Sequence, residues 1–187
     1  MSVEEANIEK KKQSQSLAFV DYIIRRSKDN GVAAALRCAD NPATEFKSWG
    51  VLADFGVPID REDRRIPYAT VAAAISRAKA SGNGSRKIGL AIAGCYDDGN
   101  QSDQARMRLR RLLACDSTEE ASKILRPLMK MMESRGVSGI DYASLLDDLL
   151  WFDNEPSRQR IKSRWAQQFY NKSISDAVDV LVGEKHV

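Results

Sequence analysis

Apolar residues recur along this chain at helical spacing. Leu17, Val20 and Ile24, with Tyr22 and Ile23 beside them, set the period of an amphipathic helix. Asp29-Asn30-Gly31 ends it, Gly31 supplying the permissive backbone for the stop. Val32 to Ala39 reads as a second helix, closed before Asn41-Pro42. Thr44 is placed to cap a third, Glu45 to Phe55, with Phe46, Trp49, Leu52 and Phe55 on its buried side. Gly56 to Pro67 is a turn-rich connection, followed by an alanine-rich helix from about Tyr68 to Ala80. The run Ser81-Gly82-Asn83-Gly84-Ser85 breaks the pattern and predicts a flexible loop. A short apolar helix, Lys87 to Tyr96, ends at Asp97-Asp98-Gly99-Asn100.

The second half is more regular. Gln104 to Ala114 is helical, and Ser117 with Glu120 forms a capping box that opens the next helix. Pro127 predicts a kink or division of that helix near Arg126, and Gly136 its stop. Asp141 caps Tyr142 to Phe152. Pro156 suits the first turn of a helix to about Tyr170, buried through Ile161, Trp165 and Phe169. Ser173 caps a last short helix, Ile174 to Val182. Trp49, Trp151 and Phe152 read as packing residues by their register. The pattern predicts an all-α protein of two small helical bundles packed side by side. Residues 17–96 form an N-terminal helical domain and 101–187 a C-terminal bundle, after a polar, disorder-prone lead-in over 1–16.

Composition agrees with that pattern. Hydrophobic residues make up 43 % of the chain, enough for a buried core. The prevalent Ala, Leu, Arg, Lys and Glu lose little rotamer freedom in a helix. Net charge is only +3, but the charges are banded. Arg77 to Cys115 holds eight bases against three acids, and Pro156 to Ser175 holds five bases, Lys172 among them, and no acid. Between them, Asp141 to Glu155 holds five acids and no base. Such banding suits a polyanion on one face and basic protein surfaces on another. The cysteines, Cys38, Cys95 and Cys115, are scattered without a CxxC pair, so they read as buried thiols in a reducing compartment, with neither a metal nor a redox site. No apolar run approaches the roughly 20 residues that span a bilayer. The polar start lacks the apolar core of a secretion signal, which predicts a cytoplasmic protein.

The candidate chemistry is electrostatic. At about 100° per residue, Ala105, Leu109, Leu112 and Leu113 share one arc, and Arg106, Arg108, Arg110 and Arg111 lie off it. Arg111 points most directly away. Guanidinium groups bond phosphate oxygens in two-point contacts that lysine cannot reproduce. Arg86-Lys87 forms a basic loop, and Arg160 and Arg164 share a face beside the Ile161–Trp165–Phe169 stripe. Catalysis has little support. The sole histidine, His186, stands one residue from the end, the acidic pairs lack metal-ligand spacing, and the glycines near Gly84 lack a phosphate-loop lysine-serine pair. The protein is expected to be no enzyme and to need no cofactor or metal.

These runs resemble a known family. RMRLRRLLACDSTEEASKILRPL, GIDYASLLDDLLWF and RQRIKSRWAQQFYNK follow the motif order of the small subunit of the type I-E CRISPR surveillance complex Cascade, the CasB family. GVAAALRCADNP and the Leu52–Gly56 segment extend the likeness toward the N-terminus, so that it covers about Leu17 to Lys172. The resemblance implies a two-domain helical subunit without catalytic activity. Two copies would pack head to tail among other Cascade subunits, beside the guide RNA–target hybrid. Basic faces would hold the displaced single DNA strand and stabilise the R-loop. By match, the contacts would come from Arg37, Arg86, Lys87, Arg106, Arg108, Arg110, Arg111 and Arg126. The family often carries two bases where this chain has Arg37-Cys38, which lowers the rank of Arg37. Two other readings stand beside this one. One is a structural helical spacer whose basic bands meet acidic proteins without direct nucleic-acid contact. The other, weaker for want of ligand clusters, is a metal-dependent nuclease.

Overall fold

A computed structural model describes residues 3–171 of the chain. Among them are nine α-helices: α1 (Val3–Arg26), α2 (Asn30–Leu36), α3 (Trp49–Asp54), α4 (Glu62–Ala78), α5 (Ile88–Ala93), α6 (Asp103–Leu113), α7 (Thr118–Ser134), α8 (Tyr142–Leu150) and α9 (Glu155–Tyr170). The described residues contain no strand, only an isolated bridge between Arg86 and Ile140. The all-α expectation holds. The helix expected over Ile174 to Val182, with its Ser173 cap, lies outside the described residues, as do Lys172 and His186.

The alanine-rich segment becomes the centre of the fold. Every residue of α4 from Pro67 to Ser76 is buried, as a helix without a polar stripe must be. Its alanines let α1, α2, α7 and α8 approach it, and the Ser76 hydroxyl donates to the Ala33 carbonyl at 2.9 Å. α1 also lies along α8, and α5 along α9. One cluster of buried apolar side chains runs from Phe19 through to Phe169. The division expected near Cys95–Gln101 therefore does not separate two cores. α4 needs covering on all sides, and helices from both halves of the chain supply it.

Several elements depart from the local reading. The lead-in expected over 1–16 is helical in backbone from Val3, and its Glu, Ala, Lys and Gln residues are good helix formers. α4 begins at Glu62 and takes in Pro67. The proline forfeits one hydrogen bond near the helix start, and burial of the segment that follows outweighs it. The third helix opens as a 3₁₀ turn, Glu45–Ser48, which advances about 120° per residue. That puts Phe46 out of register, so Phe46 and Trp49 are 57 % and 37 % exposed and only Leu52 of the four is fully buried. Thr44 does not cap this turn; its hydroxyl donates to the Cys38 carbonyl at 3.4 Å. Trp151 is also exposed, whereas Phe152 and Trp165 are core. Pro127 leaves α7 undivided. The capping box forms in altered shape: Ser117 Oγ accepts from the Glu120 N–H at 3.2 Å, while the Glu120 carboxylate accepts from Asp116 N–H at 2.8 Å.

The loop expected to be flexible is pinned. Gly84 N–H donates to the Ile140 carbonyl and Arg86 N–H to Gly139, each at 2.9 Å, while Asp141 N–H donates back to Arg86 at 2.9 Å. A Cβ on Gly84 would stand 1.8 Å from the Gly139 oxygen, so only glycine lets the two backbones approach this closely.

Candidate nucleic-acid interface

Ser102 caps α6, accepting from Ala105 N–H at 3.4 Å, and so fixes the register of the arginine run. Ala105, Leu109 and Leu112 are wholly buried and Leu113 is half-buried. The opposite face carries Arg110 and Arg111, both exposed and making no ion pair or side-chain hydrogen bond with the described residues. The other two arginines are bound locally. Arg106 donates to the Asn100 carbonyl at 3.0 Å and to Gln101 Oε1 at 2.6 Å, with Asp103 at 3.7 Å. Arg108 donates to the Tyr96 hydroxyl at 2.7 Å.

Tyr96 gathers a second arginine. The Arg135 guanidinium lies 4.6 Å above its ring and donates to the Cys95 carbonyl at 2.5 Å. Burial raises the pKa of the Cys95 thiol, against the pull of Arg135, Arg108 and Arg86, so all three cations stand within electrostatic reach of it. Arg86 itself is half-buried and makes no ion pair with the described residues.

The remaining expected contacts divide in the same way. Lys87 is held by Asp141 at 2.5 Å and by the Ser144 hydroxyl at 2.7 Å. Arg126 reaches Asp40 at 3.5 Å, a carboxylate that Arg77 already grips in two-point fashion at 3.0 and 2.6 Å. Arg164 is paired with Asp148. Arg160 is exposed with one long bond to Ser157 Oγ at 3.4 Å, and Arg37 is exposed without an ion pair among the described residues. The ten expected cations therefore do not make one stripe. Lys87, Arg106, Arg126 and Arg164 serve ion pairs within the fold, whereas Arg37, Arg110 and Arg111 face outward unpaired.

Three further cations stand where the sequence pattern does not single them out. Arg135 joins the Tyr96 group from the far end of α7. Lys79, which enters the sequence picture only through the charge banding, and Lys130 line an open concavity with Arg37 and Arg77. The spacing of Arg126 and Lys130, four residues apart on α7, is the one local signal for it.

Lys87 yields a stability prediction. Burial alone would raise the Asp141 carboxyl, but Lys87, the Ser144 N–H and hydroxyl, and Asn83 together hold it down at about 2. A depressed carboxyl pKa contributes stability that is present above the ordinary value of 3.8 and is lost as pH falls toward 2. Lys87→Met is expected to cost about 1–2 kcal/mol near neutrality, since Lys87 is partly exposed. It should also flatten the acid limb of a urea-unfolding series. An unchanged acid limb would show that Lys87 does not hold this carboxylate.

Among the described residues no helix is long and apolar enough to cross a membrane, and no three His, Cys, Asp or Glu side chains cluster as metal ligands. A family model for the CRISPR-associated protein Cse2 matches residues 32–170. A CRISPR-associated protein Cse2 of Thermus thermophilus is 31 % identical over 96 residues, half of this chain and 52 % of that relative. The matched stretch thus spans about half the length of that relative. The crystal structure of M. ruber CasB is 28 % identical and superposes with a TM-score of 0.66 over 89 % of this chain and 97 % of its own. A chain of a CRISPR RNA-guided surveillance complex shares the fold at 20 % identity, with a TM-score of 0.64 over 92 % of this chain and 98 % of that one.

Proposed function

Because this chain belongs to the CRISPR-associated Cse2 family, we propose that it is a non-catalytic subunit of a type I-E CRISPR RNA-guided surveillance complex in the cytoplasm. In that role it holds the displaced single DNA strand and stabilises the R-loop. The observation that carries this reading is the outer face of α6, where Arg110 and Arg111 stand exposed and unpaired among the described residues, opposite a fully buried apolar arc. Side chains kept off internal ion pairs keep their charge available for phosphate oxygens. R-loop formation exchanges duplexes of nearly equal stability, so a few backbone contacts tip it. Weak binding by the free subunit suffices, because assembly with other subunits beside the guide–target hybrid raises its effective concentration. Two copies packed head to tail would double the basic surface.

The test uses the full chain and a labelled single-stranded oligodeoxynucleotide. Arg110→Glu with Arg111→Glu is expected to weaken binding about tenfold at low salt and to make the log–log salt slope shallower by about 1.4, about 0.7 for each phosphate no longer neutralised. Unfolding free energy should stay within about 0.5 kcal/mol of the parent, since neither side chain packs. Unchanged binding with unchanged folding would leave the protein a helical spacer that meets only other proteins.

A further inference from the structure

We infer that the open concavity where α2, α4 and α7 end is a second docking place for a nucleic-acid phosphate backbone, apart from the α6 face. The inference rests on the nucleic-acid reading above and adds a site to it. Four cations, Arg37, Arg77, Lys79 and Lys130, line the concavity against one acid, Glu133. The other lining residues, Asn30 and Ser134, are polar, and no aliphatic or aromatic residue takes part. An interface between proteins would bury apolar or aromatic anchors at its centre; phosphodiester oxygens ask for cations and hydrogen-bond donors. Arg77 is committed to Asp40, whose carboxylate is 3 % exposed. Arg37, Lys79 and Lys130 are exposed and form no ion pair with the described residues.

Lys79 supplies an independent observation. It closes α4 in the left-handed conformation, φ 48° and ψ 42°, and is the only described residue other than glycine with positive φ. Glycine adopts that conformation without strain and is the usual residue there. A lysine at this position costs backbone energy and puts a long cation at the rim of the concavity. Cations near helix C-termini also offset the partial charge of the last carbonyls. That account makes Lys79 a stabiliser of the fold, whereas phosphate docking makes it a residue kept in spite of its strain. The two accounts predict opposite results.

The full chain carrying Arg37→Gln, Lys79→Gly and Lys130→Gln is titrated with the same labelled single-stranded oligodeoxynucleotide across a salt series. Expected are binding weakened about tenfold and a slope shallower by about 2, from three phosphate contacts at about 0.7 each. The thermal midpoint should be no lower than the parent's. A second variant, Arg37→Gln with Lys130→Gln, leaves the backbone conformation untouched and should make the slope shallower by about 1.4. The inference is overturned if both variants bind as the parent does while the Arg110/Arg111 variant weakens; the α6 reading then stands alone. If none of the three weakens, both readings fall. A lower midpoint in the first variant with full binding in both would assign Lys79 to the helix end and overturn the inference as well.

Discussion

Replacing Trp165 with alanine is expected to lower the unfolding free energy by about 3–5 kcal/mol, the usual range for deleting a buried tryptophan. Since a domain of this kind has only about 5–15 kcal/mol in all, that loss would leave the variant marginal. Trp165 is wholly buried and stacks on Phe152 with ring centroids 5.4 Å apart and planes at 19°. Its indole N–H donates to Asp148 Oδ2 at 2.6 Å, and Arg164 pairs with the other carboxylate oxygen. The alanine variant would open a cavity and remove a donor from a buried carboxylate at once. Urea unfolding reads the loss as a lower midpoint with little change in slope. A midpoint close to the parent's would mean that α9 can repack over the hole.

Trp165→Phe separates the two contributions. Burial pushes the Asp148 carboxyl up to about 6, against the pull of Arg164 and the Trp165 N–H. The native state therefore holds the extra proton between 3.8 and about 6, and stability falls as pH rises through that window. Phenylalanine keeps the apolar body but leaves one carboxylate oxygen without its donor, a loss of about 1–3 kcal/mol. The penalty should be largest above about 6, where Asp148 is ionised, and should shrink below it. A penalty independent of pH would show that packing alone is at stake.

Gly89→Ala is expected to destabilise the protein by about 2–3 kcal/mol, at the upper end of the range for overpacked sites. α5 and α9 approach so closely that a Cβ at Gly89 would stand 2.3 Å from the Trp165 carbonyl oxygen and 2.8 Å from the Phe169 N and Gln168 Cβ atoms. Two of these three obstacles are backbone atoms, so no change of rotamer relieves them and α9 must shift as a body. Gly82→Ala makes the control, because a Cβ there meets nothing within 4 Å. If Gly89→Ala and Gly82→Ala melted alike, the close crossing of α5 and α9 would be wrong.

Much of the helical order was legible in the chain. The caps at Ser117 and Asp141 form as their spacing predicts, since a cap joins residues three or four apart. The Ile161–Trp165–Phe169 stripe is buried for the same local reason. The third helix misled because the apolar spacing of Phe46, Trp49 and Leu52 does not reveal that its first turn winds as 3₁₀. The Ser81–Ser85 run misled because its partners, Gly139 and Ile140, stand more than fifty residues away and no local signal announces them.

By itself the sequence determined the helices, the side of α6 that faces inward, and the family, because periodicity, capping and motif order are all carried by near neighbours along the chain. Only the tertiary structure decided which cations remain available. Lys87 meets a carboxylate 54 positions away and Arg77 one 37 positions away, while Arg110 and Arg111 meet none among the described residues. A charge is engaged or free according to what packing brings within about 4 Å of it, and that distance is set by the whole fold.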